Sequence, residues 1–236
     1  AEAYADRELW ARAFDLYLIA DDRAAAAAVL TKGGDQLFHQ GHLATLEQCF
    51  QQLPLTSLSA PLLCLKGRLY LSRGGIEEAV ALSDLAATRV CPDELASLRL
   101  FQADIAQKRG EYREAITQAE DVLLYNPRDD QRATAIRLIA NCNARLGNHV
   151  LAVKLLNEVL QIQRSRGDLY YLALTSHDLG MLYDQMSRLR EAERSYQQAE
   201  AYWTTIGNIG ARALSRNNGA VVAHAMGRFR EAHSQL

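Results

Sequence analysis

Proline is scarce in this chain. Only Pro54, Pro61, Pro92 and Pro127 occur in 236 residues, and none falls inside a helical pattern. Proline removes a helical donor and clashes with the carbonyl one turn back, so its avoidance over long segments argues for helix throughout. Three of the four fall between predicted helices, and Pro61 suits a first turn. Strand-like alternation bounded by turn residues is missing. Cysteine is equally rare. Cys49, Cys64, Cys91 and Cys142 form no CxxC pair, and each sits in a helical apolar pattern. They are expected to be reduced core thiols of a cytoplasmic protein. No apolar run approaches the ~18 residues that a membrane span needs, and no charged-then-apolar signal segment opens the chain. The net charge of −2 offers no basic field for a phosphate backbone, which argues against direct nucleic-acid binding by this segment.

Catalytic signatures are missing too. The sequence contains no HExxH, GxSxG, GxGxxG or GxxxxGK[ST], so neither an enzyme nor a bound cofactor is expected. His177 and Asp184 stand seven apart on one helical face, near His224 of a later segment. A metal site is one account of them, and a chance polar cluster is the simpler one. Glu191, Glu193 and Glu231 follow turns, where a carboxylate favours the positive end of a helix. Tyr170 and Tyr171 read either as interlayer packing or as a ligand platform.

What the chain does have is a period. A turn residue is followed two positions later by a large apolar residue, and three positions after that by alanine. The turn residues are Glu8, Gly41, Gly74, Gly110, Gly147, Ser187 and Gly227, spaced 33, 33, 36, 37, 40 and 40 apart. Such a period marks a repeat array. Predicted helices run over 8–20, 23–40, 42–52, 59–72, 75–90, 93–109, 111–125, 129–146, 148–165, 168–186, 188–206, 209–226 and 228–236. Short turns force neighbours antiparallel. Gly34, Gly67, Ala103, Ala140, Gly180 and Ala220 occupy equivalent positions and are all small, as close helix crossings require. Tyr183 and Tyr196 are expected to fill the gaps between layers.

The run Leu179-Gly180-x-x-Tyr183, then Ala192-x-x-x-Tyr196-x-x-Ala199, resembles the tetratricopeptide repeat, and Asn126-Pro127 closes another copy in the same way. The first two copies depart most, with Glu8 at a glycine position and Leu46 at an alanine position. The resemblance implies an all-α fold, a right-handed α–α superhelix of about six helix pairs with truncated ends. It would form one helical repeat domain over 1–236. Opening repeats occupy 1–54, repeats of 33–37 residues occupy 55–129, and repeats near 40 residues occupy 130–236. The absence of an initiator Met and the stop at Leu236, inside a repeat, lead us to expect a fragment of a longer protein.

A narrower likeness rests on Trp10, Ala13, Tyr17, Ala20, Asp22, the alanines 24–28, Gly41, Leu43 and Leu53-Pro54. This pattern is similar to the sensor region of large ATP-dependent, LuxR-type transcriptional regulators, the MalT-like family. The likeness implies a parent chain with an ATPase domain before this segment and a DNA-binding domain after it. The segment would then bind a small-molecule inducer or a regulatory protein in its concave groove. A general protein-interaction scaffold, holding a peptide or helix in the same groove, stays open as the alternative. Apolar repeat ends could also pair between copies.

In a tetratricopeptide array the first helix of each pair lines the groove. Counting from the small residue, the candidate binding positions are Asp104 and Lys108, then Arg137, Asn141 and Arg145, then His177, Met181 and Asp184, then Asn217 and His224. Arg137, Asn141 and Arg145 are spaced i, i+4, i+8 and share one face. Their donors suit an anion, a carboxylate or sugar hydroxyls. The repeat register itself is testable: Gly180→Leu should overpack its crossing and cost at least ~1–3 kcal/mol. An unchanged denaturation midpoint would show the register to be wrong.

Overall fold

The computed structural model describes residues 9–230, and every regular element among them is helical. The chain forms two compact units that divide at the Gly110 turn. In the first unit α1 spans Trp10–Ile19, α2 Arg23–His39, α3 Leu43–Gln51, α4 Ala60–Leu71, α5 Ile76–Ala87 and α6 Leu95–Arg109. In the second unit α7 spans Tyr112–Leu124, α8 Asp129–Arg145, α9 His149–Arg166, α10 Leu169–Gln185, α11 Leu189–Ile206 and α12 Ile209–Ala225. Short 3-10 turns at Leu55–Ser57 and Pro92–Glu94 precede α4 and α6. The all-α, paired-helix expectation therefore holds. The helix predicted for 228–236 begins within the described residues, but most of it, with Glu231, lies outside them, as does the turn residue Glu8.

The turns explain why the helices end where they do. Gly41, Gly74, Gly110, Gly147 and Gly227 all hold φ between 79° and 87°. That region costs an L-residue ~1–2 kcal/mol and costs glycine little. Asp21, Asn126 and Ser187 adopt the same conformation without being glycine. Gly167 and Gly207 end α9 and α11 in the left-handed region. The next residue then caps the following helix. The Asp168 carboxylate accepts from the Tyr171 N–H at 3.2 Å, and the Asn208 side chain accepts from the Ala211 N–H at 3.0 Å. One dipeptide thus stops a helix and starts the next one. Pro61 sits in the first turn of α4, as expected. Pro92 instead opens a 3-10 turn, so α6 begins at Leu95 and not at 93.

In the first unit α1 packs on α2 and α3, α2 on α4, and α4 on α5 and α6. Their apolar stripes close one continuous core that includes Phe14, Leu30, Leu46, Phe50, Leu62 and Leu63. The adjacent glycines of α2 do different work. A side chain at Gly33 would run into the Trp10 ring, and one at Gly34 would come within 2.5 Å of Leu65 on α4. Gly67 leaves room for the Phe101 ring of α6. Burial pushes the Cys49 and Cys64 thiols up to about 12, so both stay protonated and inert. Cys142 is also buried and takes part in no disulfide. Cys91 corrects the expectation of four core thiols: it is exposed, because it precedes the Pro92 turn and lies on no helix.

In the second unit α7 packs on α8, α8 on α9, α9 on α10, α10 on α11 and α11 on α12. The alternate helices α8, α10 and α12 also touch in series. Ala140, Gly180 and Ala220 are buried, as are Ala152, Ala192 and Ala199. At Gly180 an added Cβ would lie 2.7 Å from the Tyr196 ring. The glycine therefore makes a seat for an aromatic ring of the following helix, beyond merely allowing two backbones to approach. Tyr170 packs edge-on against Trp203 at 5.4 Å, in line with the packing reading.

Ser187 is the odd turn residue, holding φ 57° without glycine's freedom and without a side-chain hydrogen bond. Ser187→Gly should raise stability by about 0.5–1 kcal/mol, less than the full left-handed penalty because glycine also loosens the unfolded chain. Urea unfolding of the two proteins, compared at equal m-value, measures this directly.

Candidate functional site

Eight of the ten candidate residues lie in the second unit, on α8, α10 and α12. Asp104 and Lys108 lie on α6 of the first unit, Asp104 half-buried and Lys108 exposed. The eight do not form one uniform stripe. They divide into residues held between helices and residues left in solvent.

Arg137 is held. Its Nη1 donates to Asp178 Oδ2 on α10 at 3.1 Å, and Asn141 Nδ2 donates to the same oxygen at 2.9 Å. The Arg137 and Asp178 side chains are only 15% and 8% exposed. Two donors from adjacent turns of α8 thus converge on one buried carboxylate of α10. A carboxylate moved out of water needs such partners, since the cost of burying an isolated charge is several kcal/mol. The fork-shaped donors expected to meet a ligand are therefore spent, at least in part, on the fold itself.

His177 is held in the same way one layer on. Its Nδ1 lies 2.8 Å from Ser215 Oγ, and Asn218 Nδ2 lies 3.5 Å from its Nε2, both partners on α12. The imidazole also meets the edge of the Tyr196 ring at 5.4 Å. It is 7% exposed, and burial lowers its pKa below the ordinary value against a smaller opposing pull from Asp178. Tyr196 is seated by Gly180, so the packing motif and the polar contact share one ring. Met181 is half-buried and packs in an apolar cluster with Tyr196 and Val222.

The geometry repeats. Counting from Ala140, Gly180 and Ala220, the side chain three before the small residue meets the side chain two before it on the next alternate helix. Arg137 meets Asp178, and His177 meets Asn218. Sequence reasoning missed Asp178, Ser215 and Asn218. The available signal was an offset of 41 residues, one period plus one, between a donor and its partner.

The residues left in solvent are Arg145 on α8, Asn217 and His224 on α12, and half-buried Asp184 on α10. The side chains of Arg145, Asp184 and Asn217 make no hydrogen bond or ion pair among the described residues. His224 stacks edge-on with Phe229 at 4.9 Å. Val221, at the position equivalent to Met181, is 56% exposed. Among the described residues no group of three or more His, Cys, Asp or Glu side chains is arranged to hold a metal. No described helix is long and apolar enough to cross a membrane.

Comparison with known proteins agrees with this architecture. Residues 131–205 match the family model described as tetratricopeptide repeat. No curated protein matches the chain. Among solved structures, a Rap protein complexed with Competence and Sporulation Factor superposes with a TM-score of 0.73 at 13% identity. That match covers 100% of this chain and 75% of the other. BtubC from P. vanneervenii gives 0.59 at 19% identity, covering 92% and 87%. A signal transduction ATPase with numerous domains and a tetratricopeptide repeat sensor, from Pyrococcus horikoshii, gives 0.59 at 14% identity. It covers 94% of this chain and 36% of that one. At these identities the likeness is one of fold.

Removing one partner from the Arg137–Asp178 pair should be far more damaging than removing both. Arg137→Ala is expected to cost about 3 kcal/mol, because it strands a buried carboxylate. Arg137→Met combined with Asp178→Leu should restore most of that loss. Chemical denaturation of Arg137→Met, Asp178→Leu and their double variant gives the coupling energy; additive losses would mean that the pair is not coupled. The chain thus carries an all-α, tetratricopeptide-like helical-repeat fold, with polar contacts tying α8 to α10 and α10 to α12.

Proposed function

We propose that this segment is the sensing part of a larger bacterial regulator of the MalT-like, LuxR type. It takes up a small-molecule inducer or a regulatory protein on the face formed by its first helices. The signal passes to ATPase and DNA-binding domains of the same parent chain. The observation that carries this reading is the division of labour on α8, α10 and α12. Arg137, Asn141 and His177 pin one helix to the next. Arg145, Asp184, Asn217 and His224 remain available to an incoming group. A binding face needs both parts: side chains that reach the ligand and a frame that holds their spacing.

The presented groups carry both signs, a guanidinium and a carboxylate beside an amide and an imidazole. Such a set fits a ligand with both donors and acceptors better than a simple anion. Asp104 and Lys108, one of each sign, would serve in the same manner on α6. Fold likeness to a signal transduction ATPase with a tetratricopeptide repeat sensor supports the sensor reading. The general interaction scaffold remains the second reading. The similarity in fold to a Rap protein complexed with Competence and Sporulation Factor favours it equally.

A thermal-shift screen of sugars, amino acids and other metabolites tests the proposal. A ligand at 100 times its dissociation constant adds ~2.7 kcal/mol of stability. A ligand found in this way should bind at least about tenfold more weakly, ~1.4 kcal/mol, to the combined variant Arg145→Ala, Asp184→Asn, Asn217→Ala. Unchanged affinity in that variant would place the ligand elsewhere and sink the assignment. A chain that answers to no metabolite but binds a protein through the same three residues would favour the scaffold.

A further inference from the structure

We propose that His177 is a proton-sensitive latch that fastens α12 to α10, and that acid loosens this fastening. The latch is independent of what occupies the exposed face. Its geometry is a closed cluster from three helices: His177 from α10, Tyr196 from α11, and Ser215 and Asn218 from α12. We assign Nε2 as the acceptor, because the Asn218 amide nitrogen faces it at 3.5 Å; this assignment leaves the single proton on Nδ1, 2.8 Å from Ser215 Oγ. A second proton on Nε2 would set N–H against N–H at Asn218. It would also place a full positive charge in a site where Ser215 is fully buried and His177 is 7% exposed.

The surrounding charges give that proton little compensation. On α10 itself Asp178 is the nearest carboxylate, and it is committed to Arg137 and Asn141 of α8. Asp184 lies two turns further along α10 and is half-buried. On α11 burial holds the Tyr196 phenol well above its usual range, so it stays neutral. On α12 the facing groups are a hydroxyl and an amide. The lowered proton affinity of His177 agrees with this arrangement. The sign follows from linkage. A histidine whose folded pKa lies below its unfolded value of 6.5 binds fewer protons when folded. The stability it supports is complete above that value and is lost as pH falls through the window beneath it. The loss is local, because the contacts broken are those that join α10 to α12.

The test is hydrogen–deuterium exchange of the full chain at pH 7.5 and pH 5.0, with rates corrected for intrinsic chemistry. Protection of the α12 amides should fall on acidification, by at most about tenfold per pH unit below 6.5, while α9 serves as the internal reference. In His177→Gln, which keeps a donor and an acceptor but cannot charge, the α12 protection should no longer depend on pH over this range. Should that variant not fold, NMR titration of the wild-type ring decides. A midpoint below 6.5, shared by shifts in the α12 amides, supports the latch. A midpoint at or above 6.5, α12 protection equal at the two pH values, or the same loss in His177→Gln would overturn it.

Discussion

The second unit depends first on one buried carboxylate. Asp178 sits where water cannot reach it freely, so α10 must offer that residue to the Arg137 and Asn141 donors of α8. A helix is a rigid rod with about 100° between successive residues. Fixing residue 178 toward α8 therefore fixes every other face of α10. Gly180 then falls on nearly the opposite side, where its missing side chain receives the Tyr196 ring of α11. His177 turns to α12. A charge pair and a steric hole specify the same rotation, and neither could be satisfied by another one.

Such a pair adds little net stability. The attraction between the charges roughly repays the cost of taking them out of water, and an apolar pair of similar size often does as well. Its effect is on alternatives. Any arrangement that leaves Asp178 without Arg137 carries the full penalty of a stranded charge, so competing rotations and registers of α10 are raised in energy. The apolar clusters of the unit hold the helices together. The polar contacts decide how they are turned.

This distinction also explains what the sequence revealed. Small residues at crossings were legible because a volume constraint writes itself directly into residue type: Gly34, Gly67, Ala103, Ala140, Gly180 and Ala220 are all small and all buried. Helix ends were legible at the left-handed turns, at Asp21 and Asn126 as well as at the glycines, and least legible before Cys91, where α5 already stops at Ala87 and no left-handed residue marks the end. The frame of the candidate site was not legible. A polar residue on a helix looks the same in sequence whether it meets water or a neighbouring helix. Arg137 and Arg145 are identical as letters, share a face, and end up with different roles, one buried against Asp178 and one exposed. Only a comparison of positions one period apart separates them, and it must already know which face meets the next layer.

The two inter-helix contacts are built on the same positions but with different chemistry, and that difference carries information. Repeats with similar packing residues invite mis-stacking, because α8 could present its apolar face to α12 almost as well as to α10. The polar partners break that near-equivalence. Set against α12, Arg137 would meet Ser215 and Asn218, neutral groups that cannot balance it, and Asp178 would be left without a cation. Set against the Asp178 position, His177 would find a carboxylate and favour its charged form, while Ser215 would lose its buried partner. Each contact is satisfied in only one order of helices. The order α8, α10, α12 is therefore written in the identities of five polar side chains as well as in the length of the turns between them.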